Sequence, residues 1–597
     1  MLELFDSEAR QEKIPLLSLL CRQLRLPGIA RVHVPSRATT TAIITTIRHS
    51  SSSSICQASS HAAAAATTIM GVIPAYKPTG LDEITASIDT VRKTFRTNKT
   101  KDVDFRVQQI RKLYWGVADN AALIEEALMK DLSKCKFEAQ LSEIDWVKNE
   151  AVYVANNVHK WSKDRSVDDI PFQYWALGPK MRSEPYGTIL IIGAFNYPFQ
   201  LNLAPVIGAI AAGNTVILKP SELSPHSAMV LKKIFDEYLD PDCYICVNGN
   251  VDETKHIMEH KFDKIVFTGG KGVGTIIAKK AAETLTPYIL ELGGQNPSFV
   301  TRNADVKLAA RRLMWQKTFN AGQVCLSHNY VLIERPVLDE FIAEINKLHA
   351  KFMPNGADKS PDWSRIVNIN HFNRLKRMLD NTKGKIVMGG NMWEDKLIME
   401  PTAVLVDSID DSMMVEESFG PIWSILPYDT LDEAIDIANK VDPTPLSLTT
   451  FGSDAENEKV LLNVTSGGAT INDGFWHAAM NQTPIGGVGS SGQGNYHGAF
   501  SFKAFSHERI ICKVPAWADL LLKLRYMPYD MRELARTQAL TSLKPNFDRD
   551  GNPKRGLFYW LRLVFTLGGR SKKSSILRWA ILMPVVAYLV QLRLAKL

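Results

Sequence analysis

The sequence predicts an α/β protein with a doubly wound domain, and three features indicate this fold class. Short apolar, β-branched runs at 189–193 and 215–220 end in turn residues, and a stretch rich in Ala, Ile and Gly, 203–213, lies between them. Buried parallel strands joined by a crossover helix have this pattern. Two further strand-like runs, 243–247 and 264–267, continue the alternation. We therefore expect ligands to bind at the carboxyl ends of these strands.

The domain organisation follows from length and periodicity. A chain of 597 residues exceeds the size at which one hydrophobic core keeps growing. Apolar residues at helical spacing from Ile84 to about Lys160 predict scaffold helices, and strands and helices alternate again after Glu291 up to about Ile471. The predicted division is a leader at 1–80, a first domain at 81–290 with an arm at 170–187, a second domain at 291–485, a return segment at 486–512 and a tail at 513–597.

Composition limits the class of protein. Hydrophobic residues at 45% and charged residues at 22% are near the averages of soluble globular proteins, which argues against a disordered, fibrous or many-span membrane protein. Seven scattered cysteines favour a reducing compartment over a disulfide framework. The net charge of +7 comes from the ends, because residues 513–597 carry +11 and residues 1–80 carry +4, which leaves −8 for residues 81–512. A nucleic-acid groove needs positive charge on the folded body, so no nucleic-acid partner is expected.

The leader has no Asp or Glu from Lys13 to Leu81 and is rich in Arg, Ser, Thr and Ala. Organelle transit peptides have this composition, but Glu3, Asp6 and Glu8 depart from it at the extreme N-terminus. Three interpretations therefore remain open, namely a targeting segment, a disordered extension, and a start codon misassigned upstream of Met70.

The tail is the most membrane-like part of the chain. Twelve uninterrupted apolar residues, 579–590, would reach only about 18 Å as a helix, against a hydrocarbon core of about 30 Å. Extension to 576–594 gives about 28 Å, with Arg578 and Arg593 near the ends where long side chains reach the headgroups. The basic residues just before it, Arg570, Lys572 and Lys573, favour a cytosol-facing leaflet. A span or interfacial anchor is expected, with a buried C-terminal helix as the alternative.

Three residues are candidates for chemistry. Cys325 follows the turn-like Gly322-Gln323, although a lone cysteine in an apolar chain is usually inert packing. Glu291 is an acidic residue in an otherwise apolar strand, where a carboxylate is costly unless paired or held ready to take a proton. Asn196 follows the 189–193 strand, where an amide is placed to hold an oxyanion. The positions of these residues in a turn, in an apolar strand and after a strand predict a nucleophile, a general base and an oxyanion donor, respectively.

A nucleotide site is predicted beside them. Lys219 and Glu222 lie at a strand end, where the lysine is placed to donate to ribose hydroxyls and the glutamate to accept from an adenosine ribose. The turn from Gly269 to Gly274 is a candidate for close approach of a pyrophosphate at a helix N-terminus, although its spacing is not the Gly-x-Gly-x-x-Gly fingerprint.

Six separated motifs carry a family resemblance. In chain order they are Asn196-Tyr197-Pro198-Phe199, Leu218-Lys219-Pro220-Ser221-Glu222, Phe267-Thr268-Gly269, Leu290-Glu291-Leu292-Gly293-Gly294, Gly322-Gln323-Val324-Cys325 and Glu417-Ser418-Phe419-Gly420-Pro421. With this order the chain resembles the aldehyde dehydrogenase superfamily over about residues 85–512. The segments 486–492, 496–498 and 505–507 are similar to its class 3 branch, which includes fatty aldehyde dehydrogenases.

The resemblance implies a fold and a chemistry. The fold is a Rossmann-like NAD-binding domain, an α/β catalytic domain and a β-hairpin oligomerisation arm, with a homodimer as the expected assembly. The Cys325 thiolate would attack an aldehyde, the Asn196 amide and the Cys325 backbone N–H would hold the oxyanion, and Glu291 would activate the hydrolytic water.

The resemblance also implies a cofactor site. Glu417 would bind the nicotinamide ribose, Phe419 would pack near the nicotinamide ring, and Lys219 and Glu222 would hold the adenosine ribose. An anionic Glu222 favours NAD over NADP, with NADP still possible.

Three departures from the family pattern stand close to these motifs. Gly270 replaces a common Ser, Gln295 replaces a frequent Lys, and 327–329 replaces a small residue, Pro and Asp. They put pyrophosphate contacts and substrate selectivity in doubt, but remove no catalytic group. No metal site is predicted, since Cys243 and Cys246 have no second pair at ligand spacing.

The expected function is NAD(P)-dependent oxidation of a lipophilic aldehyde, with a long-chain fatty aldehyde preferred because the tail would place the enzyme at a membrane. The aromatic side chains of Tyr197 and Trp315 are candidates to line the substrate tunnel. Another hydrophobic aldehyde, such as an apocarotenal or an aromatic aldehyde, is the alternative. A catalytically silent membrane scaffold of the same fold and a CoA-acylating enzyme are the others, and Glu291 favours water over CoA as the acceptor. The body is expected to face the cytosol, on a membrane that the sequence does not identify.

Overall fold

The computed structural model describes residues 72–520, 523–569 and 571–594. Its strands are β1 Arg165–Ser166, β2 Lys180–Pro185, β3 Thr188–Ile192, β4 Thr215–Lys219, β5 Tyr244–Cys246, β6 Lys264–Thr268, β7 Tyr288–Glu291, β8 Pro297–Val300, β9 Tyr330–Glu334, β10 Lys385–Met388, β11 Met392–Trp393, β12 Ile398–Met399, β13 Thr402–Leu405, β14 Ile422–Tyr428, β15 Ser447–Phe451, β16 Gly468–Ile471, β17 Gly492–Gln493 and β18 Ser506–Ile511. Its α-helices are Leu81–Arg96, Val103–Asp119, Ala121–Leu132, Lys136–Ala139, Asp145–Trp161, Gln200–Ala212, Pro225–Tyr238, Val251–Met258, Lys271–Glu283, Val306–Thr318, Leu338–Phe352, Ile369–Asn381, Leu431–Val441, Asp454–Asn463, Trp476–Ala479, Gly498–Ala504, Met531–Thr541, Leu557–Thr566 and Lys572–Leu594.

The first sheet has the strand order β17-β7-β6-β3-β4-β5 and confirms the predicted doubly wound α/β arrangement. Strands β7, β6, β3, β4 and β5 are parallel, and β17 adds an antiparallel edge. Ile192 pairs with Lys219 on one side and with Phe267 on the other, so the carboxyl ends of three strands lie level. The turns that follow these strands therefore meet at one edge of the sheet.

Both faces of this sheet are covered, which explains why its strands are apolar throughout. Alternate side chains point to opposite faces, so Ile189 and Ile191 pack with the core around Ile207 and Ile210, whereas Leu190 packs with the opposite core, which the Leu81–Arg96 helix helps to form. Complete burial of one such side chain contributes roughly 1.5–3 kcal/mol.

The second sheet contains seven strands in the order β10-β13-β14-β9-β8-β15-β16. All neighbours are parallel except β10 and β13, which are antiparallel. The first strand of this sheet, β8, begins six residues after Glu291, the last residue of β7. Glu291 thus lies where the chain passes from one sheet to the other. The proposed domain limits remain a prediction.

The predicted arm differs in detail from a hairpin. Block 170–187 contributes the single strand β2, which pairs antiparallel with β18 along its whole length and with the short β1. The arm is therefore a three-stranded sheet of order β1-β2-β18, and its third strand comes from the other end of the body. Sequence reasoning does not find this partner because 320 residues separate the two strands.

The tail contains a pair of apolar helices after the sheets end. Arg578 donates to the carbonyl of Leu567 at 2.8 Å and Trp579 donates to that of Phe565 at 2.6 Å, so the last helix satisfies carbonyl groups at the end of the Leu557–Thr566 helix. Within the described residues, Ser574–Gln591 is long and apolar enough to cross a membrane, and only 6% of it is buried. The alternative of a helix buried against the body does not agree with this exposure.

Candidate active site

A cavity of about 1380 Å³ lies at the carboxyl edge of the first sheet. Its lining includes all the predicted catalytic residues, both predicted substrate residues and every predicted nucleotide residue except Gly274, namely Cys325, Glu291, Asn196, Tyr197, Trp315, Lys219, Glu222, Gly269, Glu417 and Phe419. Gly274 lies instead in the first turn of the Lys271–Glu283 helix, where a Cβ would stand 2.7 Å from the Leu292 side chain. It permits close helix packing and does not line the cavity.

A strained turn positions Cys325. Asn320, Ala321 and Gly322 have φ values of 51°, 50° and 68°. All three therefore have the left-handed conformation, which only Gly adopts without cost. At Gly322 a Cβ would lie 2.2 Å from the Gly420 carbonyl oxygen, so a larger residue is excluded. The turn brings Cys325 against the segment that carries Glu417 and Phe419.

The environment of Cys325 favours the neutral form of its thiol. Burial, followed by the carboxyl groups of Glu417 and Glu291, raises its pKa to about 12, and the backbone N–H groups of Cys325 and Leu326 oppose the rise. The same two N–H groups are donors for negative charge beside the sulfur atom. The site therefore favours a charge that develops during a reaction over a permanent thiolate.

Glu291 is the last residue of β7 and is only 6% exposed. Its Oε1 finds no hydrogen-bond partner within the described part of the chain. Burial raises the pKa of this carboxyl well above its ordinary value. A buried, unpartnered carboxyl with a raised pKa is suited to take a proton from water.

Asn196 lies in the turn after β3 and is almost completely buried. Its side-chain amide donates to the carbonyl of Gln323 at 3.0 Å, which ties it to the turn before Cys325. Its own carbonyl accepts from Lys134 Nζ at 2.9 Å and from Asn320 Nδ2 at 3.1 Å. The sequence signals Asn320 and Gln323 through their closeness to Cys325, but gives no signal for Lys134, because lysines are normally found at the surface.

Lys219 and Glu222, which the sequence predicts at the adenosine ribose, form a bonded pair in the cavity lining. Lys219 Nζ lies 2.6 Å from Glu222 Oε2, and the lysine is buried while the glutamate is half-buried. The nearby turn gives room for a ligand, since a Cβ at Gly270 or Gly272 would meet nothing within 4 Å. The free N–H groups that begin the Lys271–Glu283 helix follow this turn, an arrangement that suits a pyrophosphate. The residues present fit a dinucleotide.

Glu416, Glu417 and Phe419 line another part of the cavity. Arg374 donates to the carbonyls of Glu417 and Ser418 at 2.9 and 2.6 Å. Burial raises the pKa of the Glu417 carboxyl to about 7, against the opposing effects of the Gly294 N–H, Arg374 and Lys317. A Cβ on Gly293 would collide with this carboxylate, so Glu417 lies directly over the Gly293 backbone. The ring of Phe419 lies 5.9 Å from that of Phe195.

Two departures from the family pattern contact each other. Asn329 Nδ2 lies 3.2 Å from Gln295 Oε1 and 3.3 Å from the Glu416 carbonyl, while Asn329 Oδ1 accepts from the Ser418 N–H at 2.7 Å. This amide pair joins the nucleophile loop to the segment that bears Glu417. His328 is buried, with Nδ1 3.0 Å from Gln316 Oε1, and does not line the cavity.

An aromatic wall, defined here as Tyr197, Phe319, Trp315 and Phe475, lines part of the same cavity as Cys325. The ring centroids of Tyr197 and Phe319 are 6.4 Å apart, and Trp315 lies 5.6 Å from Phe319 and 5.3 Å from Phe475. Trp476, 58% exposed, continues the lining outward. The sequence indicated two of these rings, and the fold adds Phe319 and Phe475. The surface that these rings present to the cavity is apolar.

A model of the aldehyde dehydrogenase family matches residues 40–511, and the chain belongs to that family, in its class 3 branch. Among its relatives is a beta-apo-4'-carotenal oxygenase of Gibberella fujikuroi, 60% identical over 511 residues that cover 86% of this chain and 95% of that protein. The mouse aldehyde dehydrogenase family 3 member B3 is 38% identical over 76% of this chain and 94% of its own length. A solved structure titled as the substrate-bound state of Staphylococcus aureus AldH has a TM-score of 0.70 and 36% identity, and covers 81% of this chain and 99% of that one. The protein is therefore an NAD(P)-dependent aldehyde dehydrogenase.

Proposed function

We propose that the protein oxidises a long, apolar, conjugated aldehyde of the apocarotenal class to its carboxylic acid, with NAD as the preferred hydride acceptor. The observation that carries this proposal is one continuous cavity that Cys325, Glu291 and Asn196 line together with the predicted nucleotide residues and the aromatic wall. Three complete catalytic groups in one cavity argue against a silent scaffold.

Acylation depends on Cys325 and Asn196. The thiol gives its proton to water in the cavity, and the sulfur forms a bond to the aldehyde carbon while the carbonyl electrons move to oxygen. The Asn196 amide and the Cys325 N–H stabilise that oxygen, a contribution of about 3–4 kcal/mol for one donor in comparable sites. NAD, when bound, would accept hydride from this carbon, and that loss would leave a thioester on Cys325.

Deacylation depends on Glu291. Water gives a proton to the Glu291 carboxylate and its oxygen bonds to the thioester carbon, after which the carbon–sulfur bond breaks and the acid leaves. Because the pKa of this carboxyl is raised, the fraction that is ionised grows as the pH rises. Hydrolysis should therefore accelerate toward alkaline pH.

The residues that would hold the cofactor are Lys219 and Glu222 at the adenosine ribose, the turn at Gly269 near the pyrophosphate, and Glu417 with Phe419 at the nicotinamide end. The partly exposed Glu222 carboxylate supports NAD, since it would repel a 2′-phosphate. NADP remains the alternative cofactor for the same site.

The substrate proposal rests on the aromatic wall and on the relative whose name specifies beta-apo-4'-carotenal. A rigid conjugated chain stacks on aromatic faces and loses little conformational entropy on binding. The fatty aldehyde hypothesis has family-level support and is the second candidate, because a saturated chain also partitions into the membrane near the apolar tail helices.

We also propose a location and an assembly. The exposed tail helices and the charge of +11 in 513–597 support attachment to the cytosolic face of a membrane. The arm sheet leaves one edge of β18 without a partner strand in the described chain, which supports a homodimer built on that edge.

An aldehyde panel tests the substrate proposal. NADH production by the purified protein would be followed with an apocarotenal, a saturated aldehyde of equal length and benzaldehyde, each with NAD and with NADP. We expect kcat/KM for the apocarotenal to exceed that for the saturated chain by about tenfold, from the stacking energy of one or two aromatic pairs. Equal or lower values for the apocarotenal would favour the fatty aldehyde, and no turnover of any aldehyde would refute the proposed function.

A further inference from the structure

The side chain of Lys134 is buried completely beside the catalytic turn. The chain reaches this position because Ser133, after the Ala121–Leu132 helix, adopts a left-handed conformation with φ 52°. Lys134 Nζ lies 2.8 Å from Glu143 Oε1, and both side chains are 0% exposed. The ring of Tyr197, which belongs to the aromatic wall, lies with its centroid 4.0 Å from the ammonium and separates it from the cavity.

The ammonium has a second bond, to the backbone of Asn196. Lys134 Nζ donates to the Asn196 carbonyl at 2.9 Å, and Asn320 Nδ2 donates to the same oxygen at 3.1 Å and to the Gln323 carbonyl at 3.1 Å. Since the Asn196 side chain donates to the same Gln323 carbonyl, the hydrogen bonds form a closed ring between the turn after β3 and the turn before Cys325.

The ion pair is fixed from its other side as well. Glu143 Oε2 accepts from the backbone N–H groups of Phe199 and Gln200 at 3.0 and 2.9 Å, at the beginning of the Gln200–Ala212 helix. The Asn196 carbonyl is thus held by the Lys134 ammonium, and the helix N-terminus that follows Asn196 is held by the Glu143 carboxylate. Neither Lys134 nor Glu143 lines the cavity, so both are expected to act through Asn196 rather than on a bound substrate.

We propose that Lys134, assisted by Asn320, is a positioning residue that fixes the Asn196 amide in the oxyanion site next to Cys325. The inference rests on the proposed function, because it takes Asn196 to be the oxyanion donor. A buried ion pair adds little net stability compared with an apolar pair of similar volume, whereas a displacement of about 1 Å at a reacting group lowers a rate by about 100-fold. The contribution of Lys134 is therefore expected in kcat rather than in stability.

The test separates the effect of Lys134 on the position of Asn196 from its effect on the stability of the fold. Lys134→Met alone leaves the Glu143 charge buried and unpaired, which destabilises the fold. The double variant Lys134→Met with Glu143→Gln removes both charges and keeps a carbonyl oxygen for the N–H groups of Phe199 and Gln200. We expect the double variant to recover the wild-type Tm to within a few degrees, while kcat and the pre-steady-state rate of NADH formation stay about 100-fold low and the KM for NAD is unchanged.

A matched control is another buried lysine that donates to a carbonyl. Lys264, at the amino end of β6 and away from the cavity, donates to the Ala504 carbonyl at 2.5 Å. Lys264→Met should lower Tm with kcat within about twofold of wild type, because its loss moves no catalytic group. An equal loss of kcat in both lysine variants would overturn the proposal.

A second variant keeps the test decisive if the double variant does not fold. Asn320→Gly retains the left-handed backbone and removes the second donor to the Asn196 carbonyl, and we expect kcat to fall about tenfold with an unchanged KM for NAD. A wild-type kcat in a folded double variant, or in Asn320→Gly, would contradict the positioning role. Inactive wild-type protein would instead contradict the proposed function itself.

Discussion

The body, residues 81–512, buries most of its large apolar side chains, whereas the tail, residues 513–597, exposes most of its own. In the body, large apolar side chains such as that of Trp423, which is 1% exposed, pack in buried cores, and the Lys134–Glu143 ion pair is completely buried. In the tail, Leu577 and Tyr588 are each 62% exposed, and the last two helices contact each other. The charge differs in the same way, at −8 for residues 81–512 and +11 for residues 513–597.

The difference suggests that the body carries out the chemistry and that the tail determines the location of the protein. All the predicted catalytic and nucleotide groups lie in the body, so the chemistry should survive without the tail. The described chain does not cover the exposed apolar helices, and a bilayer is the partner that we propose for them. Variants in the body should therefore change rates, and variants in the tail should change location.

The largest expected effect is at the nucleophile. Cys325→Ser should lower kcat by at least about 1000-fold, because the hydroxyl is a much weaker nucleophile than the thiol that it replaces. NADH formation with a saturating aldehyde measures the loss. Cys512→Ser, at an exposed cysteine outside the cavity, is the matched control and should retain activity. Undiminished turnover in Cys325→Ser would show that Cys325 is not the nucleophile.

Glu291→Gln should lower kcat by about 100- to 1000-fold and flatten its rise with pH, since the amide takes no proton from water. It should also raise Tm at pH 8 relative to wild type. The folded state raises the pKa of Glu291, so the wild-type carboxyl costs stability as the pH rises above the unfolded value, and Gln removes that cost. If kcat of the variant still rises steeply with pH, the general base is a group other than Glu291.

The contact between Gln295 and Asn329 predicts an intermediate effect in the body. Asn329→Asp places a carboxylate against the Gln295 amide oxygen and the Glu416 carbonyl, and should raise the KM for NAD by about tenfold by displacing Glu417. Adding Gln295→Lys supplies a donor and should recover most of the loss. Additive losses in this double-mutant cycle would show that the contact has no functional coupling.

The smallest effect on turnover is expected in the tail. Removal of residues 570–597 should leave kcat for a short soluble aldehyde within about twofold, abolish co-sedimentation with anionic vesicles and lower the preference for long aldehydes. Unchanged vesicle binding and unchanged chain-length preference would contradict the membrane role.

Much of this molecule is predictable from sequence because its signals are local. The parallel strands are apolar runs ended by turn residues, and Cys325, Glu291 and Asn196 each stand in a short motif at a strand end or in a turn. Residues that act across long separations give no such signal. Lys134 resembles any surface lysine until Ser133 turns the chain inward, and β18 has no visible partner until the fold brings it to β2. The displacement of Gly274 from the cavity likewise depends on where its helix begins.

The most direct test of the central claim is the mass of the acylated enzyme. Glu291→Gln protein, incubated with an apocarotenal and NAD and then digested, should hold an adduct equal to the aldehyde less two hydrogen atoms, because hydride and the thiol proton have both left. We predict this adduct on the peptide that contains Cys325, together with one equivalent of NADH. NADH formation with no adduct, or an adduct on any other cysteine, would contradict the account.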